Sequence, residues 1–246
     1  GGVVTWGCQR CGGDSSIVQH RLSGNQKVQH IYSTHRAFAA LLENGGVVTW
    51  GSSEHGGDSH AVWTQLNGDQ KVSRIYSNNR AFAAVLEGGG VVTWGTVGFG
   101  GDSHAVQEEL IGKRKVNHIY STGYAFAAAL EDGGVVTWGS PDHGGDSSAL
   151  QDRLACNQKV SHISSNHRAF AAVLDTGDVV TWGETTCGGD STSVQEKLTG
   201  INRKVNHIYC TDYAFAALLE DGGVVTWGEP SHGGDSSAVQ NKLNGE

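Results

Sequence analysis

AFAALLENGGVVTWG, residues 37–51, is the stretch whose reading decides the fold. It holds two apolar runs parted by Asn44 and Gly45, a turn signal of the kind that joins neighbouring antiparallel strands. In AFAALL the alternate positions are Ala37, Ala39 and Leu41 on one side and Phe38, Ala40 and Leu42 on the other, with nothing polar in either set. A strand with one wet face alternates apolar with polar, so a sheet made from this run is covered on both faces. Just upstream, KVQHIYS (Lys27 to Ser33) reads as another strand, with Thr34 and His35 as the turn. The three segments, Lys27 to Ser33, Arg36 to Glu43 and Gly45 to Gly51, form an antiparallel meander.

The meander recurs. Trp6, Trp50, Trp94, Trp138, Trp182 and Trp227 are separated by 44 residues four times and then by 45. A period of this length marks an array in which each unit buries its faces on its neighbours. The repeats run approximately 1–44, 45–88, 89–132, 133–176 and 177–221, followed by a partial repeat at 222–246, all within one domain at 1–246. After each Trp-Gly comes a GGDS turn and a short segment with Val18 and Leu22 four residues apart, or their equivalents. That is the apolar stripe of a two-turn helix. Three-stranded sheets that cover one another on both faces and radiate from an axis make a β-propeller. The fold class is therefore all-β with short helices, a propeller of 44-residue repeats. Five blades are expected, six is the alternative count, and an open superhelical array of the same units is the alternative arrangement. Residues 1–24 and 222–246 carry the same strand and helix. A closed five-bladed ring uses only one of the two copies, Gly1 to Gly7 as a strap in the last blade or the C-terminal strand.

Composition narrows the function. The 246 residues are 37% apolar, with 37 Gly, 2 Pro and no Met, which suits a sheet protein rich in tight turns and agrees with a processed product or a segment of a longer array. No window approaches the roughly 18 apolar residues of a membrane span. A net charge of -8 without a Lys/Arg cluster speaks against a nucleic-acid backbone as partner. Five cysteines, Cys8, Cys11, Cys156, Cys187 and Cys210, do not recur with the repeat as a disulfide framework would, and point to free thiols in a reducing intracellular compartment. Cys8 and Cys11 form a lone CxxC without the further ligands that zinc needs or the βαβ setting of a redox motif.

Residues 37–51 resemble the core of the regulator of chromosome condensation repeat, whose signature runs approximately H-T-L-A-L-T-x-D-G-x-V-Y-x-W-G. KVQHIYS is similar to that family's upstream strand. The resemblance covers every repeat and implies a propeller, typically of seven blades, that serves as a binding platform. This repeat departs from the pattern: Ala37, Ala81, Ala125, Ala169 and Ala214 stand where the family has His, and GGDSS replaces its G-Q-L-G loop. Nucleotide exchange and chromatin binding are not carried over, because no matched residue carries either.

Three recurring sets invite chemistry. The Asp-Ser of GGDS, at Asp14, Asp58, Asp102, Asp146, Asp190 and Asp235, lacks a His that recurs beside it, as a nucleophile would need. Ser16 with Gln19 and its equivalents instead fit a helix capping box, with Asp as the cap where His60 and His104 break the pattern. His30, His118, His162 and His207 share a strand position with Arg74, which reads as a polar column at a strand end or along a solvated channel. His55, His143 and His232 share a position with Cys11, Cys187 and Phe99, which reads as packing. Variation picks out the binding candidates. The segments before each AFAA are THR, NNR, TGY, NHR and TDY, and varied loops on a fixed scaffold are where recognition sits. Arg36, Arg80, Tyr124, Arg168 and Tyr213 are the candidate binding residues; no catalytic or metal residue and no cofactor is expected. The reading is a non-catalytic scaffold that binds a protein partner. Its alternatives are a lectin-like multivalent carbohydrate binder, motivated by the recurring Trp and Asp, and a structural array that self-associates through the duplicated terminal strand and helix.

Overall fold

Val, Ile and aromatic residues crowd the three apolar segments of each repeat, and in all five blades they are strands, whereas the N-terminal copy of the third segment forms no strand at residues 2–7. In the first repeat these are β1 (Val28–Ser33), β2 (Ala37–Leu42) and β3 (Val47–Gly51). The next two sheets are β4 (Val72–Ser77), β5 (Ala81–Leu86) and β6 (Val91–Gly95), then β7 (Val116–Ser121), β8 (Ala125–Leu130) and β9 (Val135–Gly139). The last two are β10 (Val160–Ser165), β11 (Ala169–Leu174) and β12 (Val179–Gly183), then β13 (Val205–Cys210), β14 (Ala214–Leu219) and β15 (Val224–Gly228). Each triplet is an antiparallel three-stranded sheet in chain order. The structure, a computed structural model, describes residues 2–24, 26–111, 114–154, 158–199 and 204–243; Cys156 lies outside them.

The first strand of every blade departs from simple alternation. In β4 the register shifts between Val72, which faces Leu86, and Arg74, which faces Val85. One extra residue, Ser73, sits in the bulge. Val72 and Ile75, three apart, therefore share the face buried against the preceding blade, while Tyr76 packs toward the following one. The same bulge occurs in β1, β7, β10 and β13.

Both faces of β2 and its equivalents are buried, as the pattern of AFAALL requires. Ala37, Ala39, Leu41 and Val47 pack against the next blade's Val72, Ile75, Phe82 and Trp94. Within a blade, Phe82 stands across from Trp94 and stacks on it with ring centroids 5.1 Å apart. The indole then reaches out of its blade: Trp94 Nε1 donates to the carbonyl of Gly56 in the preceding repeat at 3.0 Å. Trp50, Trp138, Trp182 and Trp227 repeat the bond to Gly12, Gly100, Gly144 and Gly188. Gly56 has φ +86°, and a Cβ on it would lie 2.6 Å from Cδ2 of Phe82. Only glycine admits both the left-handed backbone and the ring.

The GGDS segment is consumed by the scaffold. Asp14 Oδ1 accepts the amide of Ser16 at 2.9 Å, and the five other copies do the same. The expected Ser16–Gln19 capping box does not form. Asp occupies the capping role in every copy because its carboxylate reaches the amide two residues on and closes the turn. The following Ser ties the helix to the N-terminal segment: Ser15 Oγ lies 3.0 Å from Thr5 Oγ1 and 3.0 Å from Gln19 Oε1. The helical segment is half 3-10 (Ser16–Val18) and half α (Gln19–Leu22), with Leu22 fully buried against the first blade.

The five blades share one axis, because a single cavity of about 530 Å³ is lined by the first turn of all five repeats. Backbone bonds pass from each blade to the next, from the His35 amide to the Asn79 carbonyl at 3.1 Å and onward through Gly123 and His167 to Asp212. Among the described residues no such bond returns from the fifth blade to the first. Ile75, Ile119, Ile163 and Ile208 are buried in the blade interfaces, whereas Ile31 is 41% exposed. The arc is open at this seam. β15 completes the fifth blade, so the strap role read for residues 1–7 is not taken up. Val3 packs on the first blade, and Trp6 is 85% exposed.

Candidate functional site

The turn between the first two strands of a blade is closed by its first residue. Asn78 Oδ1 accepts the amides of Arg80 and Ala81 at 3.0 and 2.9 Å, while its Nδ2 donates to the Phe99 carbonyl at 2.6 Å. Thr34, Thr122, Asn166 and Thr211 make the equivalent bond to His55, His143, Cys187 and His232. Each turn is thereby fastened to the loop that follows its blade's third strand. The signal was present in THR, NNR, TGY, NHR and TDY, which all begin with Thr or Asn, though sequence reasoning attended to the last letter.

That fastening sets the last letter beside the His/Cys/Phe column. Tyr124 lies 4.3 Å from His143 between ring centroids, nearly parallel to it, and 5.0 Å from Phe99. The Arg80 guanidinium stands 5.0 Å over the Phe99 ring. Arg168 lies 5.9 Å from the rings of both Tyr124 and Tyr213, and Tyr213 packs on His232 at 4.7 Å. Four of the candidate binding residues thus belong to one belt of stacked cations and rings across blades two to five. Arg36 stands outside it, with no ring contact or ion pair among the described residues.

Charge in the belt is fixed by its arginines. Arg168 Nη1 lies 2.8 Å from Glu184 Oε2, a bond that holds the Glu184 carboxyl below its usual range and raises Arg168 further. The Arg168 Nε is buried without a partner among the described residues. Burial, reinforced by Arg80 and Arg36, lowers His55, and burial with Arg168 lowers His167, so neither adds charge near neutrality. His55 is held as packing, with Nδ1 3.0 Å from Ser52 Oγ.

Inside the belt lies the mouth cavity. Its wall is polar: Ser77 Oγ donates to the Ser33 carbonyl, Ser121 to Ser77 and Ser165 to Ser121, with Cys210 continuing the ladder onto Ser165. The middle turn residues His35, Asn79, Gly123, His167 and Asp212 form its rim. Gly123 is pinched there, since a Cβ on it would meet Asn79 Nδ2 at 2.6 Å and His167 Cε1 at 2.7 Å. Below the mouth, the His/Arg column turns toward its neighbours around the axis, with the His162 and His207 rings 5.1 Å apart. Among the described residues no three His, Cys, Asp or Glu side chains converge as a metal site requires. Cys8, Cys11, Cys187 and Cys210 are free thiols, and the bond from Cys11 lowers Cys8 while raising its partner.

Comparison of this structure with solved ones places it among propellers. Prp20p of Saccharomyces cerevisiae, a structure described with its binding properties to Gsp1p and histones, superposes with a TM-score of 0.53 at 17% identity. The match covers 87% of this chain and 59% of that one. Yeast RCC1 (Prp20) bound to Kap60 gives 0.51 at 16% identity, over 87% and 57% of the two chains. The fold is a repeat β-propeller like that of Prp20. The CRINKLY WD40 ectodomain of the Arabidopsis thaliana receptor kinase ACR4 matches this propeller at 0.51 and 13% identity, over 85% and 72%. The chain thus spans 57% to 72% of the length of these proteins. Models of protein families give no match to the chain, and curated proteins give none either.

Proposed function

We propose that the chain is a non-catalytic repeat scaffold that binds a protein partner through the turn end of the propeller. The observation that carries this reading is the belt at Arg80, Tyr124, Arg168 and Tyr213. These are the residue types that supply most interface energy, at the varied position of an otherwise repeated unit, already ordered by stacking on neighbouring loops. Arg36 extends the same surface toward the seam. Preorganised rings and guanidinium groups lose little freedom on binding. The solved structures of Prp20 with Kap60, and its described binding to Gsp1p and histones, support the fold as a host for protein partners.

The test is quantitative capture from cell extract by immobilised chain and by an Arg36→Ala, Arg80→Ala, Tyr124→Ala, Arg168→Ala, Tyr213→Ala variant. Partners held by the native chain fall at least about tenfold with the variant. Equal capture by both overturns the reading. Because Tyr124 is packed on its neighbours, the pair Arg36→Ala and Arg80→Ala is run beside it, with melting temperature as the control for folding.

Five of the six recurring Trp that motivate the carbohydrate reading are buried latches of the scaffold, Trp6 alone being exposed, and the recurring Asp carboxylates close turns. Signal on a glycan array would restore it. Self-association through the duplicated strand and helix is read by light scattering, where a mass independent of concentration removes it.

A further inference from the structure

The axis of the propeller carries a charge pattern opposite to that of the whole chain. The protein has 25 Asp and Glu against 17 Lys and Arg; none of the fifteen strands contains an acidic residue, and only the five inner strands, β1, β4, β7, β10 and β13, carry Arg or His. They contribute Arg74, His118, His162, His207 and His30. The bulge in each inner strand sets this position and the residue two further on apart from the face buried against the preceding blade. Tyr76 Oη lies 3.2 Å from His118 Nδ1. Tyr120 stands edge-on to His162 with centroids 6.0 Å apart, and His162 lies beside His207. Arg74 lies two residues before Tyr76 on the same strand, and among the described residues its guanidinium has no carboxylate partner. The side chains run from blade to blade as one band of N–H and O–H donors.

The mouth cavity lies further along the same five strands. Ser33, Ser77, Ser121, Ser165 and Cys210, which line that cavity, lie three residues along each inner strand from the column, about 10 Å by strand rise. The fixed charge of Arg74 and the absence of carboxylates disfavour a metal cation, which needs neutral or anionic ligands converging on one point. The same set suits a doubly charged oxyanion, whose oxygens accept bonds from guanidinium, imidazolium and phenol together.

We propose that the axis is an oxyanion-binding channel, in which Arg74, Tyr76, His118 and His162 hold a sulfate or phosphate group. The site is independent of protein binding at the turn end. Binding strengthens as pH falls. His118 is lowered by burial, then by Arg74 and His162, and His162 by burial and His207; both gain their charge only on the acid side of neutrality. Their neighbours around the axis are Arg74, Tyr76, Tyr120 and His207, with His35, His167 and the single acid Asp212 at the mouth.

Inorganic sulfate is the probe, because its charge is constant between about pH 6 and about pH 8. Isothermal titration at fixed ionic strength is expected to show binding at the lower pH that weakens at least about tenfold in Arg74→Gln, with a smaller loss in His162→Gln and none in Lys242→Gln. His162→Gln keeps the test open if the Arg74 variant folds poorly, which circular dichroism reports. Absence of heat with the native chain overturns the proposal, as does an equal loss in Lys242→Gln, which would mark diffuse charge. Inorganic phosphate and phosphoserine are then compared. Equal affinity identifies a free anion as the ligand, and tighter phosphoserine binding identifies a phosphate ester.

Discussion

Gly100 and Trp138 show how single residues join blades. Gly100 has φ +87°, with the Phe126 ring 2.7 Å from where a Cβ would be. Gly100→Ala is expected to cost about 1–3 kcal/mol through backbone strain, and denaturant unfolding with an unchanged midpoint would refute it. Trp138→Phe keeps the ring but leaves the buried Gly100 carbonyl without its donor, now 3.1 Å away; the expected loss is again about 1–3 kcal/mol. The GGDS carboxylates give a pH dependence. Backbone amide bonds lower the carboxyls of Asp14, Asp146, Asp190 and Asp235. A depressed folded-state value means stability that is full above the unfolded value of about 4 and lost as pH falls through the folded one. Replacing the four by Asn is expected to flatten the acid limb of melting temperature against pH, and an acid limb as steep as the native one would count against the assignment.

At the scale of the element, the inner strand is where the local pattern misleads. KVQHIYS reads as a regular strand of period two, in which position 28 would share a face with 30 and 32. The bulge moves Val28 onto the face of Ile31 and frees the His position for the axis. A helix read as a capping box and two turns is a 3-10 turn running into one α turn, held by Asp and by the Thr5–Ser15 bond. The inner-strand isoleucines make the packing measurable. Ile119 is 2% exposed and Ile31 is 41% exposed. Ile119→Ala is expected to cost about 2–5 kcal/mol and Ile31→Ala less than half as much; equal costs would mean that the first blade is covered in solution.

The whole molecule is an arc of five blades whose hydrogen bonds run in one direction around the axis. The amides of Asn79, Gly123 and His167 each have a donor role across a blade boundary except at the seam, where Asp212 donates no backbone bond among those described. Hydrogen exchange by NMR is expected to find Gly123 and His167 protected and Asp212 exchanging fast. Strong protection at Asp212 would show the ring closed. The belt, the mouth and the axial column also exist only at this scale, because each draws its side chains from different repeats.

The sequence by itself determined the period, the three strands, the burial of both sheet faces and hence the propeller. Those follow from side-chain periodicity and turn chemistry, which act within some 15 residues and are repeated in every unit. It also marked Arg36, Arg80, Tyr124, Arg168 and Tyr213 by variation. The tertiary structure alone decided that the His/Cys/Phe column packs on those residues, that Asp rather than Ser closes the helix turn, and that the acid-free inner strands share an axis. Those depend on which blade meets which across about 44 residues of chain, a separation at which identical repeats carry no local signal. The seam is decided the same way, by the curvature that accumulates over five blade interfaces.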